Sequence, residues 1–103
     1  MSGDLKLVAK VHKVGEITLI GICDPELVNK TLVGPRGIKV TVKEDFYGKQ
    51  EIAPDELTEY LKTAMSINAI GKKSVEFLIT NGYGSRRSVL MLGEVPHLIF
   101  MKF

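Results

Sequence analysis

Apolar and polar residues alternate at the start of the chain, where Leu5, Leu7, Ala9 and Val11 interleave with Lys6, Val8, Lys10 and His12. A period of two suits a half-buried strand, because successive side chains point to opposite faces. Lys13-Val14-Gly15-Glu16 then offers a turn. Residues 17–23, richer in β-branched and aliphatic side chains, predict a more interior strand that closes a hairpin with the first. Asp24-Pro25-Glu26 predicts a helix start. Asp24 can accept from the unpaired first-turn amides, Pro25 brings the φ of the first helical position and Glu26 complements the positive end of the dipole. Leu27, Thr31 and Leu32 face inward in that short helix, and Gly34-Pro35 ends it. Residues 38–42 alternate as another strand, and residues 44–48 form an acidic and aromatic loop.

The second half is more helical in its spacing. Pro54-Asp55-Glu56 repeats the start signal, and Leu57, Tyr60, Leu61, Ala64 and Met65 make an amphipathic stripe. Ile67, Ile70, Gly71, Ser74, Val75, Leu78 and Ile79 recur at steps of three and four, which predicts a second long helix over residues 67–81, parted from the first by a break between Ser66 and Gly71. Asn81-Gly82 ends it with a left-handed cap. Residues 88–92 and 96–103 read as strands around Gly93-Glu94-Val95. The expected fold is a single α+β domain over residues 1–103, with a mixed or antiparallel sheet of about five strands and three helices mainly on one face.

Composition fits that reading. The chain has 103 residues, 45% apolar and 25% charged, which is enough to build a core and excludes a disordered tail. No apolar run approaches the roughly 20 residues of a membrane span, and the N-terminus lacks a basic region followed by an apolar block, so a cytoplasmic protein without a membrane partner is expected. The single Cys23 cannot form an internal disulfide. Net charge is only +2, but residues 43–65 hold six acidic groups against three lysines, whereas residues 66–103 hold five basic groups against two acidic ones. An acidic side and a basic side follow.

Four short motifs change the picture. Cys-Asp-Pro-Glu-Leu at residues 23–27, Phe-Tyr-Gly at 46–48, Asn-Ala-Ile-Gly at 68–71 and Val-Pro-His at 95–97 resemble, in this order, the archaeal domain-of-unknown-function family 424. The resemblance implies a small archaeal protein without an assigned reaction, and it carries no catalytic or binding residue onto this chain.

Candidate chemistry therefore rests on the residues themselves. Gly71, Lys72, Lys73 and Ser74 would join backbone amides and two ammonium groups into a phosphate or carboxylate site if a helix begins there. They do not form a Walker A loop, since Ser66 stands where its first glycine belongs. Simple close packing at Gly71 with two solvated lysines is the competing explanation. Arg86 and Arg87, beside Tyr83, can extend the basic edge and add a surface for stacking an unpaired base. An enzymatic reading would use Cys23 as nucleophile with His97 and Asp24; a buried thiol, a hydrogen-bonded sheet histidine and a capping carboxylate explain the same residues. Phe46 and Tyr47 suit the closing of one end of the core. His12, Cys23 and His97 lack ligand spacing, so no metal and no cofactor is expected. The reading is a non-catalytic interaction module that meets RNA or a ribonucleoprotein through Lys72, Lys73, Arg86 and Arg87. The alternatives are a small hydrolase or transferase with a Cys23/His97 pair, and a self-associating structural protein, monomer or homodimer, whose strand at residues 98–103 pairs across a dimer edge.

Overall fold

The computed structural model describes residues 5–102. Their order is β1 (Leu7–Val14), β2 (Ile17–Cys23), β3 (Thr31–Val33), β4 (Lys39–Thr41), α1 (Glu44–Tyr47), β5 (Glu51–Ile52), α2 (Pro54–Thr63), β6 (Ser66–Ile70), α3 (Lys72–Thr80), β7 (Leu90–Leu92) and β8 (Val95–Met101). The main sheet is mixed and six-stranded, in the order β5-β1-β2-β6-β8-β7, and β3 and β4 form a separate two-stranded hairpin. All neighbours in the main sheet are antiparallel except β2 and β6, which run parallel with Gly21 beside Asn68 and Cys23 beside Ile70. The fold is α+β, as the pattern of elements predicts.

Alternation along the strands divides the core between two faces. On one face Leu7, Ile20, Ile22, Ile67, Ala69 and Leu98 pack against Leu57 and Leu61 of α2 and Val75 and Leu78 of α3. On the other, Val8, Cys23 and Ile70 are covered by Leu27, Val42 and Tyr47, with Leu32, Phe46, Leu92 and Val95 around them. Thus α2 and α3 cover one face, while α1 and the β3–β4 hairpin lie on the opposite one. The three helices expected mainly on one face are divided two and one.

Four local expectations are corrected. Residues 67–70 are the interior strand β6, not the start of a helix; Ser66 to Ala69 do alternate polar and apolar, but over so short a stretch that alternation is outweighed by the helical spacing of Ile67, Ile70 and Gly71. The helix expected after Asp24 is a single 3-10 turn, Pro25–Leu27. Asn29 then takes a positive φ of 67°, which no helix propagates, and the chain turns into β3. The aromatic loop at residues 44–48 contains the one-turn helix α1, closed by Gly48 at φ 81°. The strand predicted to reach Phe103 ends at Met101, and Phe103 lies outside the described residues.

What seats α1 on the sheet is an absent side chain. A Cβ on Gly21 would stand 2.8 Å from both the Phe46 ring and the Phe46 carbonyl oxygen. The ring can therefore lie on β2 only over glycine, and it stacks at the same time on His12, with centroids 4.9 Å apart. Gly21→Ala should force α1 off the sheet and cost about 1–3 kcal/mol, the usual range for overpacking; urea unfolding measures it, and an unchanged midpoint would contradict this packing.

Candidate functional site

The parallel strands β2 and β6 end side by side, and a charged residue of one is buried against the helix that follows the other. Asp24 is only 3% exposed. Its carboxylate accepts from the Lys73 amide at 3.1 Å, the Ser74 amide at 2.8 Å and the Ser74 hydroxyl at 2.8 Å. Gly71, at φ 111°, permits that approach, because a Cβ there would collide with the Asp24 carboxylate. Asp24 makes no side-chain cap to its own 3-10 turn. It caps α3, some fifty residues further on, where charge-assisted bonds and the positive end of the helix favour a carboxylate.

This arrangement corrects the anion site expected at Gly71, Lys72, Lys73 and Ser74. The amides of Lys73 and Ser74 are held by a carboxylate of the chain itself, and the Gly71 amide donates to the Pro96 carbonyl at 2.9 Å. The exposed Lys72 and Lys73 side chains remain, and the cleft they share with Asp24 and Leu27 also contains Glu26 and Glu94. Lys72 and Arg86 do line one groove, together with Glu76. Within it, Arg86 donates to Glu76 at 2.7 Å, so its charge is already balanced. Arg87 is exposed nearby. Tyr83 is not free for stacking: it meets Phe100 edge-on at 5.5 Å, with the Lys102 ammonium 5.5 Å from its ring centroid.

On the opposite face the motifs that carry the family resemblance meet in space. Asn68 Oδ1 accepts from the Tyr47 hydroxyl at 2.7 Å and from His97 Nε2 at 2.8 Å. An amide oxygen can only accept, so Nε2 carries the proton and neutral His97 leaves Nδ1 as an acceptor. Burial lowers the His97 pKa, which keeps the ring neutral at neutral pH. Burial raises the Tyr47 hydroxyl to about 12, with a further push from Cys23.

Cys23 and His97 do not form a dyad. They lie in one row of the sheet with Ile70 between them, about 10 Å apart at the strand spacing of a sheet. Burial, and then the neighbouring carboxylates of Asp24 and Glu26, push the Cys23 thiol up to about 12. A thiol so poised is a poor nucleophile. The strand proposed for a dimer edge, β8, lies between β6 and β7; β7 pairs with it over His97, Pro96 and Val95, and residues 98–101 have no outer strand among the described residues. Those residues also contain no cluster of three or more metal-ligating side chains, and no helix long and apolar enough to cross a membrane.

One charged feature was missed from the sequence. Residues 27–43 contain Lys30, Arg36, Lys39 and Lys43 and no acidic residue, and counting charge over that window would have found it. These residues form the β3–β4 hairpin and its flanks. All four cations are exposed, and none forms an ion pair among the described residues. The hairpin tip rests on the β7–β8 turn, where a Cβ on Gly34 would stand 3.0 Å from Leu92 and one on Gly93 would stand 3.2 Å from the Val33 carbonyl. At that tip Arg36 holds a left-handed φ of 61°.

A family model described as "Protein of unknown function (DUF424)" matches residues 11–103. No curated protein matches. Among solved structures, the crystal structure of an uncharacterized conserved protein from Methanopyrus kandleri is similar at a TM-score of 0.75 and 20% identity, over 96% of this chain and 95% of that one. That likeness shows the fold.

Two measurements test the geometry described. Ser74→Ala removes one hydrogen bond to a buried carboxylate and should lower stability by about 1.5–3 kcal/mol; a change under half a kcal/mol in urea unfolding would contradict the clamp. Native Cys23 should resist iodoacetamide at pH 8 and react once urea unfolds the chain, and rapid native alkylation would contradict the burial and the raised pKa.

Proposed function

The chain belongs to the family described as "Protein of unknown function (DUF424)", and we propose that it is a non-catalytic module that binds RNA through the β3–β4 hairpin. The observation that carries this reading is the hairpin's charge: four exposed cations and no acid in seventeen consecutive residues. Phosphate contacts by unpaired Lys and Arg supply most of the sequence-independent affinity for nucleic acid. The Lys72 and Lys73 side chains contribute little to this surface, since Glu26 and Glu94 share their cleft. Arg86 contributes less than its position in the sequence suggests, since Glu76 holds it.

Arg36 supports the same reading. A non-glycine residue in the left-handed region costs about 1–2 kcal/mol, and glycine would sit there without that strain. A strained backbone that keeps a long cation at an exposed tip is a feature from which a task can be inferred. The environment of Cys23 also favours a non-catalytic role, because burial and the neighbouring carboxylates keep its thiol protonated at neutral pH. We place the protein in the cytoplasm, where its lone reduced cysteine is in keeping.

Fluorescence anisotropy with a single-stranded RNA twelve nucleotides long tests the proposal. Binding should be weak, with Kd on the order of 10⁻⁴ to 10⁻⁶ M at physiological salt, and should strengthen as salt is lowered. Lys39→Ala together with Lys43→Ala should reduce the slope of log K against log salt by about 1.4, given roughly 0.7 per phosphate contact on a single strand. Arg36→Gly should weaken binding while leaving thermal stability unchanged or raised by up to about 1 kcal/mol. Failure to bind at low salt, or binding indifferent to all three substitutions, would overturn the reading.

A further inference from the structure

The basic hairpin borders a part of the sheet that no other element roofs among the described residues. On its face of the sheet, α1 lies over β1 and β2, and Leu32 and Val42 of the hairpin close over Cys23 and Ile70. The rows beside and beneath them are open. Leu90 pairs with His97, Ile99 with Asn68 and Met101 with Ser66, so all these side chains share the hairpin's face. Leu90 is 68% exposed, Ile99 52% and Met101 52%.

This shelf also carries unspent hydrogen-bonding capacity. Asn68 Oδ1 takes both the Tyr47 and the His97 protons, which leaves the two Asn68 Nδ2 protons and the His97 Nδ1 lone pair without partners among the described residues. Neither group is a buried unsatisfied atom, so both face solvent. A donor and an acceptor, fixed in orientation by Tyr47, stand among exposed aliphatic side chains and an imidazole ring. A flat heterocycle with a polar edge matches that mixture: its face covers the apolar side chains and the ring, and its edge meets the amide and the imine.

We propose that this shelf binds an unpaired nucleobase of the RNA whose phosphates the hairpin neutralises, with Asn68 Nδ2 and His97 Nδ1 reading the base edge and Leu90 and Ile99 supporting its face. The inference rests on the RNA-binding reading above, and it adds that single strands are the substrate class, because a paired base cannot expose both face and edge. The charge of the border selects among occupants. Four unpaired hairpin cations outnumber the acid bonded to their flank, Glu44 through Asn29, and suit a polyanion, while a second copy of this chain would bring its own hairpin cations against them.

Abasic RNA separates the two levels of the proposal. An eight-nucleotide RNA and an abasic strand of equal length and charge present the same phosphates, so anisotropy compares base and backbone directly. The base-bearing strand should bind roughly fivefold or more tightly, the lower end expected of one stacked base. Leu90→Ala should erase most of that preference without unfolding the chain. Met91→Ala, next in sequence but on the opposite face of β7, should leave it intact. Equal affinity for the two strands, or equal effects of the two substitutions, would overturn the base site while leaving the electrostatic reading standing; absence of binding by either strand would overturn both. A blunt-ended duplex of the same length should show no such base contribution, and a Leu90→Ala-sensitive increment for the duplex would also overturn the proposal. Sedimentation without RNA that reveals a dimer dissolved by Leu90→Ala would assign the shelf to a second copy and overturn it as well.

Discussion

A single buried carboxylate joins the two halves of this chain. Asp24 follows β2, and its two oxygens take the Lys73 and Ser74 amides of the first turn of α3 and the Ser74 hydroxyl. The parallel pairing of β2 with β6 sets Asp24 beside Gly71, and only a residue without a side chain, at φ 111°, leaves room for the contact. The bonds satisfy a buried charge that would otherwise be costly, and they satisfy helix amides that lack intrahelical partners. Each part of the junction needs the other: without α3 the carboxylate would be stranded, and without Asp24 the helix would begin uncapped against the sheet.

The same junction occupies the place where an outside anion would otherwise dock. The carboxyl ends of adjacent parallel strands are the usual place for an anion to meet a helix start, and here an internal anion already fills it. What remains on that side is a cleft of mixed charge, Lys72 and Lys73 facing Glu26 and Glu94, and an arginine balanced by Glu76. The opposite face is different in kind. It combines an unbalanced row of cations on the hairpin with a shelf whose polar centre, Tyr47–Asn68–His97, is held by two short hydrogen bonds. Gly21 contributes indirectly, since it lets Phe46 lie flat and so brings Tyr47 within reach of Asn68.

Parts of this were legible in the sequence and parts were not, for physical reasons. The β1–β2 hairpin was plain because β1 is half-buried and alternates over eight residues; β6 was not, because its alternation is brief and Ile67, Ile70 and Gly71 fall by accident at helical steps. Asp24 was recognisable as a cap, yet its partner lies fifty residues away, a distance that local rules cannot bridge. Leu27 and Leu32 suggested one amphipathic turn and belong instead to a 3-10 turn and a strand, divided at Asn29. The four motifs that resemble the family were found, but only the register of β6 against β8 shows that Asn68 meets His97. The basic hairpin was open to a simple count, which the division of charge at residues 43 and 66 concealed.

The central claim is that Asp24 closes the α3 side to outside anions and leaves the hairpin and its adjoining shelf to receive them. Backbone and side-chain amide shifts of the ¹⁵N-labelled protein, followed while single-stranded RNA is added, test this most directly. The account predicts that residues 30–43, the Asn68 side-chain amide and Ile99 move together while the Lys73 and Ser74 amides stay in place. Shifts concentrated at residues 71–74 and 86–87, with a silent hairpin, would contradict it.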